Sequence, residues 1–337
     1  MTLLTPSYEL VLGSEQWTEQ ALGLDLELHA VPLLDVLHVR LPAAAPLSAS
    51  VGDDAKLTLD GGEGAAEVFS GSITAIRRVL SEIVVTALDA GGELARYRPA
   101  VTYEQATAAT VVRSLCGDVG VDVDQLEDGV SLAYYAADPS RTALDHVGRV
   151  CGWSGALARV TAQGKLESFV VNAMEAEFAL KYARDLLEFE RGETAAPITG
   201  FVAAGESGAG STSAPEALRP TTDFFAGSRP EGPSSERIWH FEPALRTAQA
   251  AQRASAALGL RYDAGRRAGR METLLKPQLR PGSVVELQDL PDKLAVGSVC
   301  LTSVRHRLSP ERATTSSRFR EAGGDLGGLL GSLGGLV

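Results

Sequence analysis

The chain has 337 residues, 45% of them apolar, and a formal net charge of −12. That length supports two or three domains with ample core, and the acidic balance excludes a protein that holds nucleic acid by neutralising phosphates, which needs clustered Lys and Arg. Cys116, Cys151 and Cys300 lack CxxC spacing and sit in apolar stretches, the pattern of reduced core thiols rather than a disulfide framework. The N-terminal Met1-Thr-Leu-Leu-Thr-Pro6 has neither a basic region nor a continuous apolar run, and no stretch nears eighteen uncharged apolar residues. A chain made and kept in the cytoplasm is expected, without a membrane span.

The first hundred residues read as strands. Alternation is visible in Leu24-Asp-Leu26-Glu-Leu28 and in Lys56-Leu-Thr-Leu59, with Pro32, Pro42 and Pro46 interrupting anything longer. Two further strands follow at 68–80 and 82–88, the second ended by a turn at Asp89-Ala-Gly91-Gly92. Strands without helices suggest a small antiparallel barrel or sandwich.

At Thr102 the period changes. Thr102-Tyr-Glu-Gln105 has the form of a capping box, and Ala108, Val111, Val112, Leu115 and Cys116 then follow one helical face. A second helix is expected from Asp138-Pro139 to just before Gly152, with Ala143, Leu144, Val147, Val150 and Cys151 inward. A hairpin follows around Gln163-Gly164-Lys165. Residues 101–189 thus read as a compact α/β unit. From 205 to 235 the composition turns to Gly, Ser, Thr and Pro, a flexible loop. A helix over 243–259 places Leu245, Ala248, Gln252, Ser255 and Leu258 on one side, and strands return at 271–275, 283–287 and 296–304.

In this order, several short motifs acquire a meaning that none has alone: Phe69-x-Gly71-x-Ile73, Ala87-Leu-Asp89 with Leu94, Tyr103, Ser140-x-x-Ala143-Leu144, Gly152-Trp153, Leu279-Arg-Pro281-Gly282, and Val304-Arg305-His306-x-Leu308 leading to Thr314-Thr315. The chain resembles the phage late control D family, the baseplate hub proteins of contractile tails, themselves similar to the hub-like N-terminal part of type VI secretion spike proteins. The resemblance covers most of residues 1–321. It implies an α+β fold with two tube-type antiparallel β-barrels and an α/β unit packed outside. The first barrel falls in residues 1–100 and the second in 190–321, interrupted by the 205–235 loop and the 243–259 helix. It implies a homotrimer that adapts a sixfold tail tube to a threefold spike, a component of a phage tail or tail-like particle assembled in the bacterial cytoplasm. Its partners would be further copies of itself, the tail tube protein, the central spike protein, other baseplate proteins and a tape measure protein, with no cofactor and no specific nucleic-acid binding.

Candidate chemistry is sparse. Gly205-x-x-x-x-Gly210-Ser211-Thr212 has part of a phosphate-loop shape but carries Ser211 where lysine is needed. Gly152-Trp153-Ser154-Gly155-Ala156 stops one glycine short of a nucleophile elbow. His29, His38, His146, His240 and His306 are scattered, and Asp122, Asp124, Glu127 and Asp128 lack the glycine and closing glutamate of a calcium loop, so a solvated turn is expected there. Arg261, Arg266, Arg267 and Arg270 read as a solvated hairpin end. No residue is nominated as catalytic, so a structural role is expected. A tail-associated peptidoglycan hydrolase is the alternative enzyme, and a soluble binding module unrelated to tails is a third class.

The last sixteen residues, 322–337, form a Gly/Leu tail. Leu326, Leu329, Leu330 and Leu333 follow a helical stripe, yet seven glycines, each costing about 1 kcal/mol in a helix, oppose it. These four leucines are the candidate partner-binding residues: disordered in the free subunit and docked on an apolar groove of a partner, such as the spike.

Overall fold

Alternation of apolar and polar residues builds the first seven strands: β1 (Ser7–Leu12), β2 (Glu15–Trp17), β3 (Gly23–His29), β4 (Val36–Pro42), β5 (Asp54–Asp60), β6 (Ala65–Arg78) and β7 (Glu82–Asp89). The computed structural model describes residues 5–172, 174–195, 200–205 and 237–322. Leu24, Leu26 and Leu28 of β3, Leu37, Val39 and Leu41 of β4, and Ile83, Val85 and Ala87 of β7 are all buried. With a side-chain period of two, that places one face of every strand in a shared core. Each fully buried leucine contributes about 2 kcal/mol.

The helical region begins earlier than expected and is more interleaved. A short helix, α1 (Gly91–Arg96), replaces the simple turn after β7. Thr102 does not cap a helix: it lies in β8 (Val101–Thr107), which pairs with β9 (Ser131–Ala137), and the strand ladder outcompetes the capping box. Thr107 is the cap instead, its hydroxyl accepting from the Thr110 N–H at 3.2 Å at the start of α2 (Ala108–Val119). The predicted inward stripe of α2 is buried throughout. Similarly α3 (Ala143–Ser154) starts four residues after Pro139, because Thr142 and Asp145 form a true capping box there. It runs past Gly152 to a left-handed Gly155. The expected hairpin follows as β10 (Leu157–Val160) and β11 (Leu166–Phe169).

The remaining elements are β12 (Phe178–Lys181), β13 (Leu186–Glu193), β14 (Gly200–Ala204), β15 (Arg237–Phe241), α4 (Ala248–Arg266), β16 (Arg267–Leu274), β17 (Val284–Gln288), β18 (Ser298–Ser309) and β19 (Arg312–Glu321). The helix expected over 243–259 is α4, shifted toward the C-terminus by its Thr247 cap, so Leu245 is buried ahead of it rather than on its face. β14 and β15 form a separate parallel pair that packs on α4, where the Ser255 hydroxyl accepts from the Ala203 N–H at 2.6 Å.

Mostly antiparallel strands with four helices make the described chain an α+β fold. Thirteen strands join one sheet, in the order β13-β16-β19-β18-β3-β4-β7-β6-β5-β1-β2, with β17 on β18 and β12 parallel to β17. No barrel closes among the described residues, unlike the two separate barrels that the resemblance implies. The reason is β18, whose Ser303–Leu308 segment pairs with His29–Leu24 and occupies the edge of β3 that a closed N-terminal barrel would need. Arg305 reinforces the seam by pairing with Asp25 at 2.6 Å and Glu27 at 2.7 Å.

Two large apolar cores result among the described residues, beside a small cluster of Val284, Cys300 and Ala322. One combines the N-terminal strands with Leu180, Leu186, Met271, Leu301 and Phe319. The other fills the α/β unit, from Leu94 to Leu166, and extends to Ala203, Leu245 and Ala254.

Candidate functional site

Where the two cores meet, a cluster of buried charges joins three segments. The β3–β4 loop brings Asp35, the end of β7 brings Asp89, and the turn before β17 brings Arg280. Asp35 and Asp89 are 3% and 7% exposed. The Asp35 carboxylate accepts from the His29 N–H at 2.6 Å, and its main-chain carbonyl accepts from the Asp89 N–H at 3.3 Å. Arg280 lies 3.9 Å from the Asp35 carboxylate and donates to the carbonyls of Val68 in β6, at 3.0 Å, and Val160 in β10, at 3.1 Å. One guanidinium thus ties the sheet to the α/β unit. Arg159 adds a second tie, donating to the Pro281 carbonyl at 2.6 Å and to Glu167 at 2.6 Å while stacking 4.8 Å over Phe169.

Burial sets the protonation of this junction. It pushes the Asp35 carboxyl up to about 7, against the His29 amide and the charges of Arg280 and Arg159. Burial also raises Asp89 well above the usual carboxylate range, and the neighbouring Asp35 charge adds to it. Two buried carboxyls sharing one cation do not ionise together cheaply. His306, buried and repelled by Arg280, is held down at about 3 and is neutral near pH 7.

The junction can hold a proton and fix geometry, but nothing in it is laid out for turnover. The hydroxyl–imidazole pairs, Tyr135 with His146 Nδ1 at 2.6 Å and Thr315 with His306 Nδ1 at 2.9 Å, are sealed in the core, with Tyr135 1% and Thr315 0% exposed. His146 donates its other ring N–H to the Asp138 carbonyl at 3.0 Å, so both its nitrogens are engaged structurally. Ser154 of the near-elbow donates to the Val150 carbonyl at 2.6 Å and accepts from the Val130 N–H at 2.9 Å inside the helix end. All three cysteines are free and buried, and burial pushes Cys116 and Cys151 up to about 12. Among the described residues no group of three His, Cys, Asp or Glu could hold a metal ion, and no helix is long and apolar enough to cross a membrane.

Three of the motifs singled out in the sequence converge here, those around Gly71, Asp89 and Arg280. Gly71 pairs with Asp89 and Ile73 with Ala87 in the β6–β7 ladder, and a Cβ at Gly71 would collide with the Leu88 carbonyl. The glycine is required by the close approach of two backbones. In the 279–282 turn Leu279 is buried, Arg280 enters the junction, and the Pro281 carbonyl accepts from Arg159. Gly282 adopts φ +91° against the Phe169 ring, a conformation that excludes a side chain. Trp153 and Tyr103 flank Tyr135, at ring separations of 6.1 and 6.3 Å.

Other candidates separate. In the acidic loop Asp122, Asp124 and Asp128 are exposed, while its backbone is pinned to β11, with Asp124 N–H donating to the Leu166 carbonyl at 2.8 Å and Glu127 N–H to that of Ser168 at 3.0 Å. The arginine cluster is no hairpin end, because α4 runs straight into β16. Arg267 pairs with Glu193 and Glu321 at 3.4 and 3.3 Å, and Arg270 with Glu190 at 2.6 Å. The 206–236 part of the Gly/Ser/Thr/Pro segment, with most of its phosphate-loop pattern, and Leu326, Leu329, Leu330 and Leu333 lie outside the described residues. Asp35, Arg159 and the charge of Arg280 went unseen in the sequence. The available signal was a lone acid between Leu33-Leu34 and Val36-Leu37.

Comparison with known proteins places this architecture. No protein-family profile matches the chain, and a search of curated proteins finds no match. Solved structures do match along nearly the whole length. The tail protein from Neisseria meningitidis superposes with a TM-score of 0.71 at 13% identity, covering 94% of this chain and 96% of the other. The 43 kDa tail protein of a Shewanella oneidensis prophage gives 0.66 at 11% identity, covering 94% and 98%. An Escherichia coli component of the type VI secretion system, described as similar to bacteriophage T4 tail proteins, gives 0.62 at 13% identity, covering 92% and 76%. The fold is therefore that of phage tail and related secretion proteins. These neighbours are consistent with the baseplate hub-like family that the sequence resembles.

Proposed function

We propose that the chain is a structural baseplate hub subunit of a contractile tail or phage-derived injection particle, without enzymatic activity. The observation that carries this reading is the destination of the sequence motifs: Gly71, Asp89, Arg280, Pro281 and Gly282 meet where buried hydrogen bonds tie the sheet to the α/β unit. A hub works through such fixed geometry. The full-length likeness to tail proteins supports the same reading.

In the assembled hub, three copies surround an axis. The strands of residues 1–100 and those of 190–321 act as two tube-like units per copy, and the α/β unit lies outside them. Six similar units then face a sixfold tail tube while the trimer faces a threefold spike. The partners are the tail tube protein, the central spike, other baseplate proteins and a tape measure protein. Residues 322–337 dock on the spike through Leu326, Leu329, Leu330 and Leu333.

Electron microscopy of the native particle tests this directly, by locating the chain at the spike end of the tube in three copies. Deleting residues 322–337 should release the spike while leaving the subunit folded, and unchanged spike retention would remove the tail from the account. A turbidity assay on purified cell walls should show no clearing by the isolated chain. Clearing would return the hydrolase alternative.

A further inference from the structure

Two exposed features on opposite halves of the sheet lack partners among the described residues. The first is the tip of the β6–β7 hairpin, Arg77-Arg78-Val79-Leu80-Ser81, closed by the Val79 N–H donating to the Glu82 carbonyl at 2.9 Å. Leu80 is fully exposed and Val79 40% exposed. Turn apices favour Gly, Asn, Asp and Ser, so an apex leucine gains nothing in the isolated chain and is solvated at a cost. Arg77 makes no ion pair among the described residues, and Arg78 reaches the Leu47 carbonyl at 3.4 Å.

The second feature is the outer edge of β13. Among the described residues this strand pairs with β16 alone, leaving a row of backbone groups open on its other side. A register shift between Leu186 and Glu188 makes Leu187 the bulged residue, 53% exposed, with Tyr182 nearby in sequence 46% exposed. Glu188 stands opposite Glu272, whose carboxylate is already taken by Arg312. Glu188 therefore faces a like charge and has no cation of its own among the described residues.

We infer that the hairpin tip of one copy docks on the β13 edge of a second copy, setting Leu80 against Leu187 and Tyr182 and bringing Arg77 and Arg78 to Glu188. Apolar residues on both surfaces and opposite charges beside them make the match, which two copies of the chain can form. The surfaces are different, so the contact is heterologous and closes into a ring where the rotation permits. This assignment rests on the homotrimer reading and names its interface.

The test is the association constant of the full chain, by sedimentation velocity or mass photometry, with circular dichroism to verify folding. Arg77→Glu with Arg78→Glu, Glu188→Arg and Leu80→Asp each alter only exposed side chains and should each weaken association roughly tenfold or more. Combining Arg77→Glu with Glu188→Arg should recover most of that loss, and added salt should weaken the wild-type contact. A wild-type oligomer that all these variants leave intact overturns the interface but keeps the hub reading. A wild-type chain that stays monomeric at the highest attainable concentration overturns both.

Discussion

The sheet and the α/β unit solve the problem of specifying a structure in different ways. In the N-terminal strands of the sheet, Leu10, Leu26, Leu37, Leu57 and Val85 form an aliphatic interior, whereas Thr273, His306, Thr315 and Ser317 are buried polar groups of its C-terminal strands. In the α/β unit, Tyr135 sits at the centre of a hydrogen-bonded aromatic group with His146, Trp153 and Tyr103. The N-terminal strands depend on volume, the unit on partners. Apolar packing tolerates variation of similar size, whereas a buried polar network fails when any one member is lost. The junction of Asp35, Asp89 and Arg280 lies between these regimes and couples them.

The comparison is broken most severely in the sheet. Leu26→Ala removes a fully buried side chain from the strand that holds β4 on one side and β18 on the other. It should cost about 2–5 kcal/mol in denaturant unfolding. Because β3 and β18 weld the two ends of the chain, loss should appear as one cooperative transition. Two separated transitions, with only the N-terminal strands affected, would show that the seam does not couple them.

In the α/β unit, Tyr135→Phe keeps the ring and deletes the hydroxyl, stranding His146 Nδ1 in the core. The expected cost is about 1–3 kcal/mol, the penalty of an unpaired buried acceptor rather than of lost volume. Stability equal to wild type would mean that packing alone holds this unit too. Thr142→Ala, which removes the cap of α3, should cost about 1 kcal/mol, and Thr142→Ser should restore most of it.

The smallest effect at any single pH lies in the junction, because His306 there opposes the two buried carboxyls, Asp35 and Asp89. Asp35, raised from 3.8 to about 7, contributes stability that is present below 3.8 and is lost as pH rises through about 7. His306, lowered from 6.5 to about 3, contributes stability that is present above 6.5 and is lost as pH falls toward about 3. Between these limits the slopes offset. Asp35→Asn combined with Asp89→Asn should therefore expose a melting temperature that falls on acidification from pH 6.5 to 4, and His306→Gln one that falls as pH rises from 4 to 7. Melting curves with the same pH dependence as wild type in both variants would contradict the assignment.

Local order in this fold was legible where local rules decide it. The alternation in Leu24–Leu28 and the stripe Ala108–Cys116 led directly to β3 and α2, since burial on one face is written in adjacent residues. The capping box at Thr102 misled because cross-strand pairing with β9, thirty residues away, decides the conformation there. Barrel closure could not be read for the same reason: the partner that takes the β3 edge lies nearly 280 residues further on. In the candidate site, Gly71 and Gly282 were visible as punctuation. Arg280 looked like part of a turn, and Asp35 went unseen, because the ion pair between them exists only after the sheet and the α/β unit have met.

The account rests on the chain being a building element whose rigid junction fixes a subunit in a symmetric hub. Imaging the native particle tests that claim most directly. Three copies of this chain around the axis, between the tube and the spike, is the predicted result. A particle that lacks the chain, or carries it away from the axis, would contradict it.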